Sequence, residues 1–180
     1  MKTKNFLLTG ALLIVALFSV NGVMAQSPSN YAQSGQTTVN IKLNPMQAIL
    51  VNDAVVNLEY KSLENYNQGV DTTMTNHLTV YSVGGFKVNV KSDGNFMNGS
   101  NSIPAEDVII TATRAEGSPG ALTPVTLGTT ENSLITSSTG GFEKNYNVKY
   151  SNKLKGQAFA YADKKGGTYT AQVTYEIVAN

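Results

Sequence analysis

Polar and apolar residues alternate along much of this chain. The clearest case is residues 168–178, T-Y-T-A-Q-V-T-Y-E-I-V. Tyr169, Ala171, Val173, Tyr175 and Ile177 are apolar or aromatic, and Thr170, Gln172, Thr174 and Glu176 are polar. Successive side chains of a strand point to opposite faces, so the stretch predicts a strand with one dry and one wet face. Val173 and Tyr175 are expected to point inward from a central or near-central position. The same pattern recurs in shorter pieces, and each dry face needs a second sheet to cover it.

Taken in order, residues 37–44 set Val39, Ile41 and Leu43 against Asn40, Lys42 and Asn44. Pro45 ends the alternation, because proline has no N–H for a ladder. Residues 46–51 predict a second strand, and Asn52-Asp53 a turn. Residues 54–60 predict a third, with Val56, Leu58 and Tyr60 on one face. Residues 61–75 are the one place for a helix. Ser62 caps a single turn through Tyr66 and Gly69 ends it, which suits a crossing between sheets.

Leu78, Val80 and Ser82 make the next strand, and Phe86, Val88 and Val90 the one after. Gly84-Gly85 between them predicts a bulge or a sharp bend between sheets. The phrase S-V-G-G-F-K at 82–87 is echoed by S-T-G-G-F-E at 138–143, followed by alternation through Phe142, Tyr146, Val148 and Tyr150. Either these are two strands with similar bends, or a pseudo-symmetric pair with one in each sheet. Residues 92–104 and 114–124 read as loops. Residues 108–113 read as a strand with Val108 and Ile110 inward, and 125–127 and 133–136 as short strands. Residues 157–161 are expected to form a hairpin with the last strand through D-K-K-G-G at 163–167. About nine or ten short strands with turns between them, and no linker, predict an all-β antiparallel sandwich.

The first 25 residues change the picture of where the protein works. A basic start at Lys2 and Lys4, an apolar run from Phe6 to Val20 and a Val23-Met24-Ala25 site predict a cleaved secretory signal. The run is shorter than the roughly 20 apolar residues of a membrane span, so no stable span is expected. Cleavage between Ala25 and Gln26 leaves a leader at 26–36 with little to bury, then one domain at 37–180. It also turns 13 basic residues into 11, against 12 acidic ones. That balance argues against nucleic acid as a partner, which would call for a basic face. The chain has no cysteine, which excludes a disulfide framework, a thiol nucleophile and a lipid-modified cysteine.

Little in the chain carries chemistry. His77 is the one histidine, so no zinc site and no Cys–His pair can be assembled. At the start of a strand it is expected at the surface or an edge. Glu106 and Asp107 are adjacent, so on a strand they point to opposite faces. Neither a calcium loop nor a phosphate loop is present. No catalytic residue, metal or cofactor is expected. Nine tyrosines and no tryptophan leave one binding chemistry open, the stacking of exposed rings on sugars. Most of the tyrosines fall within strand patterns and are expected in the core or at sheet edges.

The pieces V-N-I-K-L-N-P-M-Q-A-I (39–49), H-L-T-V-Y-S-V-G-G-F-K-V-N-V (77–90) and Y-T-A-Q-V-T-Y-E-I (169–177) together resemble small secreted β proteins of Gram-negative bacteria. That group is similar in layout to pilin-like subunits of the chaperone–usher and spore-coat-U type. Classical pilins often carry a disulfide, and this chain does not. The resemblance implies an Ig-like sandwich, exported through the periplasm with a dedicated chaperone and displayed at the cell surface. It implies self-association, or association with sister subunits, by strand addition. The candidate donor strand is 37–44, with Val39, Ile41 and Leu43 as plugs; alternatively this stretch is the first strand of its own domain. The leading expectation is a non-catalytic subunit of a surface filament, pilus or coat. The alternative is a secreted carbohydrate- or cell-wall-binding module, with a glycan as partner at exposed tyrosines and the 92–104 and 114–124 loops.

Overall fold

The Gly-Gly pairs of the two echoed phrases mark corners where the chain changes sheet. The computed structural model describes residues 34–152, 157 and 159–180. The signal segment, its cleavage point at Ala25 and Gln26, and most of the 26–36 leader lie outside the described residues. The chain divides into residues 1–41 and residues 42–180. In the first unit, residues 34–41 form no strand or helix. The second unit holds eleven strands among its described residues.

One sheet has five strands: β1 (Gln47–Val51), β2 (Asp71–Ser82), β10 (Gly141–Asn152), β6 (Val108–Arg114) and β8 (Val125–Thr126), side by side in that order. The other has four: β11 (Val173–Ala179), β3 (Phe86–Ser92), β9 (Asn132–Ser137) and β7 (Ala121–Leu122). A hairpin of β4 (Phe96–Asn98) and β5 (Asn101–Ile103) stands apart from both. All pairings are antiparallel. The protein is an antiparallel β-sandwich, as the alternation predicts. One core fills it: Leu78, Val80, Ile110, Tyr146 and Val148 from the first sheet meet Phe86, Val88, Val90 and Ile135 from the second. Each such side chain contributes about 1.5–3 kcal/mol by leaving water.

The corners β2–β3 and β9–β10 are a pseudo-symmetric pair. Ser82 pairs with Gly141 at one end, and Phe86 pairs with Ser137 at the other. Ser82 donates its hydroxyl to the Gly84 carbonyl (3.0 Å), and Ser137 donates to the Thr139 carbonyl (2.7 Å). Exchanging the two serines exchanges the pairings, so Gly85 corresponds to Gly140. The two glycines sit where backbone crosses backbone. A Cβ on Gly140 would overlap the Ser82 carbonyl oxygen, and one on Gly85 would lie 2.9 Å from the Ser137 carbonyl oxygen. Only glycine permits that approach. The echo in the sequence is therefore offset by one residue from the structural match. A bulge at Phe142–Glu143 takes up the difference, with Glu143 at φ 55°.

Several expectations are corrected. Residues 37–44 form no strand, so β1 is the first among the described residues. Residues 54–60 keep their alternation, with Val56 and Leu58 packed on the core, but join no ladder. The helix α1 (Leu63–Gln68) has the predicted Ser62 cap and Gly69 stop. It does not cross between sheets, because β1 and β2 are neighbours in one sheet. A hairpin, β4–β5, lies inside the expected 92–104 loop, and Glu106 and Asp107 sit in a 3-10 turn at Ala105–Asp107 and not on a strand.

The last strand starts later than its pattern, at Val173, and pairs only with β3. It is an edge strand and not a near-central one. The expected hairpin with 157–161 is absent, because the described part of that stretch makes turns instead. Val173, Tyr175 and Ile177 pack against the core as predicted, while Tyr169 and Ala171 precede the strand.

Candidate functional site

Three regions carry the chemistry of this protein: an alternating stretch with no ladder, a buried polar chain, and a groove beside α1. The first holds the predicted donor residues. Val39, Ile41 and Leu43 are 79%, 84% and 76% exposed, although apolar residues at this spacing would normally be half-buried in a sheet.

The edge strands differ in how they are protected. β7 and β8 have two residues each, and β11 presents Glu176. Short length and charge are both ways of blunting an edge. β1 has neither: Q-A-I-L-V carries no charge and no proline, and Leu50 and Val51 are exposed, as is Met46 just before it.

The buried chain begins at His77, which is 1% exposed. This corrects the expected surface position. Thr75, Asn76 and His77 face the single residue Asn147 in a bulge of β2, with Asn76 at φ 51° and its N–H on Asn147 Oδ1 at 2.7 Å. The bulge turns His77 inward beside Leu78. Its Nδ1 lies 3.1 Å from an Asp53 carboxylate oxygen and its Nε2 lies 2.9 Å from the Tyr150 hydroxyl. Tyr150 in turn meets the Tyr175 hydroxyl at 2.5 Å. A neutral imidazole satisfies all four groups. Nδ1–H donates to Asp53, the Tyr150 hydroxyl donates to Nε2, and the Tyr175 hydroxyl donates to Tyr150. Burial pushes the Tyr150 hydroxyl up to about 12, and burial together with Tyr150 raises that of Tyr175. The chain pins β2, β10 and β11 together across the sandwich. Its buried side chains bind the two sheets to each other.

The third region lies where residues 57–61, α1 and the start of β2 come together. Asn57, Glu59, Lys61, Asn65, Gly69, Val70, Asp71 and Thr72 line an open groove of about 440 Å³. Among the described residues, 54–60 find no backbone-to-backbone hydrogen bond; the Thr72 hydroxyl donates to the Asn57 carbonyl at 2.9 Å. Next to the groove, Tyr60 meets Tyr66 (ring centres 5.2 Å apart) and Tyr161 (5.5 Å). Tyr161 donates to the buried Asp107 at 2.9 Å, and Asn152 donates to the Tyr60 and Tyr161 hydroxyls. Burial raises the pKa of both tyrosines.

Elsewhere the tyrosines mostly turn inward. Tyr146 is buried and donates to the Pro119 carbonyl at 2.6 Å. The 114–124 loop therefore captures a tyrosine from beneath and does not display one. The cluster at Tyr60, Tyr66 and Tyr161 was not legible as a site, because Tyr161 is remote in sequence from the other two and no local pattern brings it to them.

Among the described residues, no group of histidine and carboxylate side chains is placed to hold a metal ion, and no helix is long and apolar enough to cross a membrane. No protein-family model matches the chain, and no curated protein matches it either.

Proposed function

We propose that this protein is an exported, non-catalytic subunit of a surface filament or coat, joined to its neighbours by strand addition. The observation that carries the reading is the exposure of Val39, Ile41 and Leu43 on a stretch with strand periodicity and no ladder of its own. Apolar residues at every second position, held in water, gain stability only when another surface covers them. The unprotected edge of β1 in a second copy offers such a surface, with free main-chain groups and exposed Leu50 and Val51 beside them. Main-chain bonds would supply the affinity and the three apolar side chains the register. A periplasmic chaperone that covers the same edge in transit fits this reading.

The test is assembly. The purified protein is expected to form concentration-dependent multimers, and the producing cell to display filaments or a coat in electron micrographs. Ile41→Asp should abolish both and leave the monomer's melting temperature unchanged. A protein that stays monomeric at every concentration, from a cell with a bare surface, overturns the reading. So does a monomer that Ile41→Asp unfolds.

A further inference from the structure

We infer that the groove between residues 57–61 and the start of β2 binds a neutral carbohydrate. Its size falls within the range of small-ligand sites. The lining fixes the class of ligand. The charged side chains around it are already matched: Lys61 pairs with Glu59, and Asp71 with Lys149 at 2.8 Å. These pairs are solvent-exposed and weak, but they leave the lining with no unmatched charge to draw an ionic ligand.

The remaining polar groups are open. The Asn57 side chain makes no hydrogen bond. Asn65 uses its Oδ1 to receive the Lys61 and Ser62 N–H groups, which leaves its Nδ2 hydrogens free. Thr72 donates its hydrogen to Asn57 and keeps its oxygen as an acceptor. Among the described residues, the Asn57 N–H and the main-chain groups of Glu59 meet no other main chain. These donors and acceptors, spaced along an open trench, match a ligand rich in hydroxyls.

A cluster of tyrosines adjoins the groove at Gly69. Tyr66 is partly exposed, and Gly69 lines both the groove and the small cavity where Tyr60, Tyr66 and Tyr161 meet. An aromatic face covers the apolar C–H face of a sugar while its hydroxyls stay bonded. The lining argues against an extended peptide in the same place. Strand addition needs apolar pockets at alternate positions, and Val70 is the one apolar side chain here.

The experiment is a titration of the purified, folded protein with three neutral oligosaccharides, cellohexaose, maltohexaose and chitohexaose. A hexagalacturonate and a peptide of residues 37–44 run beside them. Amide shifts are followed by nuclear magnetic resonance. At least one neutral sugar should move the amides of residues 57–72 with a dissociation constant of about 1 mM or tighter. Asn57→Ala and Thr72→Val should each weaken it about 2–10-fold, the worth of one neutral hydrogen bond. Tyr66→Phe should leave it unchanged and Tyr66→Ala should weaken it about 2–10-fold. Melting curves certify that each variant is folded. Three outcomes overturn the inference: no shift with any neutral sugar, shifts at these residues only with the acid or the peptide, or affinity indifferent to the folded variants. None of them touches assembly through residues 37–44, which lie outside the groove lining.

Discussion

The hydroxyls of Tyr150 and Tyr175 lie 2.5 Å apart, one from each sheet, with His77 on the far side of Tyr150. The order of donors makes the two tyrosines unequal. Tyr150→Phe removes the donor to a histidine nitrogen with no access to water, and an orphaned buried acceptor costs about 1–3 kcal/mol. Tyr175→Phe leaves that bond in place and costs about 1 kcal/mol. Urea denaturation should therefore show a larger loss for Tyr150→Phe. Equal losses, or the reverse order, would mean that the chain runs the other way.

Stability should fall in alkali. Tyrosine in an unfolded chain titrates near pH 10, whereas burial pushes Tyr146 and Tyr150 up to about 12. The folded state thus holds protons that the unfolded state has released. The stabilisation is complete below about pH 10 and is lost as pH rises through about 12. Denaturation midpoints should be flat up to the first value and decline above it. Tyrosinate absorbance should develop in two phases, the later one coinciding with unfolding. A midpoint independent of pH across this window contradicts the burial of these hydroxyls.

The corner glycines are predicted to differ from glycines elsewhere. Gly140→Ala forces a methyl group onto the Ser82 carbonyl and the Gly84 amide, both backbone atoms that cannot rotate away. A loss of about 3 kcal/mol or more is expected, enough to threaten a domain of ordinary stability. Gly128→Ala meets nothing within 4 Å and should be neutral within about 0.5 kcal/mol. Thermal melts of the two variants side by side decide the matter.

Strands with an unbroken two-residue period were legible in the sequence. β3, with Phe86, Val88 and Val90 inward, needed nothing else. The same holds for the capping of α1, since Ser62 and Gly69 act within one turn. Bulges were not legible. At Glu143 one extra residue shifts the alternation, so Phe142 is exposed and meets Tyr81 edge-on although it was counted with Tyr146 and Val148. At Asn76 the bulge draws His77 inside. In β9 a bulge buries both Leu134 and Ile135. Each depends on a partner strand far away in sequence, and no local pattern encodes it.

Pairing was illegible for the same reason. Nothing within residues 168–178 says that β3, and not the nearer 157–161, lies alongside. The alternating stretch at Val39, Ile41 and Leu43 has the pattern of a strand and no ladder. A periodic sequence gives an element its faces; it does not supply the neighbour.

The habit of changing sheets at nearly every connection has a kinetic consequence. Among the described residues, Phe96–Asn98 and Asn101–Ile103 are the only paired strands joined by a two-residue turn. Every other ladder must close a longer loop before its first bond forms; even Leu122 must wait for Ile135, and Ser82 must wait for Gly141. Closure entropy is spent before contacts return it, which places such chains in the millisecond-to-second range of folding. The interlocked corners cannot be assembled one at a time, since each glycine is the space through which the other chain passes. Refolding should therefore be slow, and the apolar edge of β1 stays open to other chains for the whole of that interval.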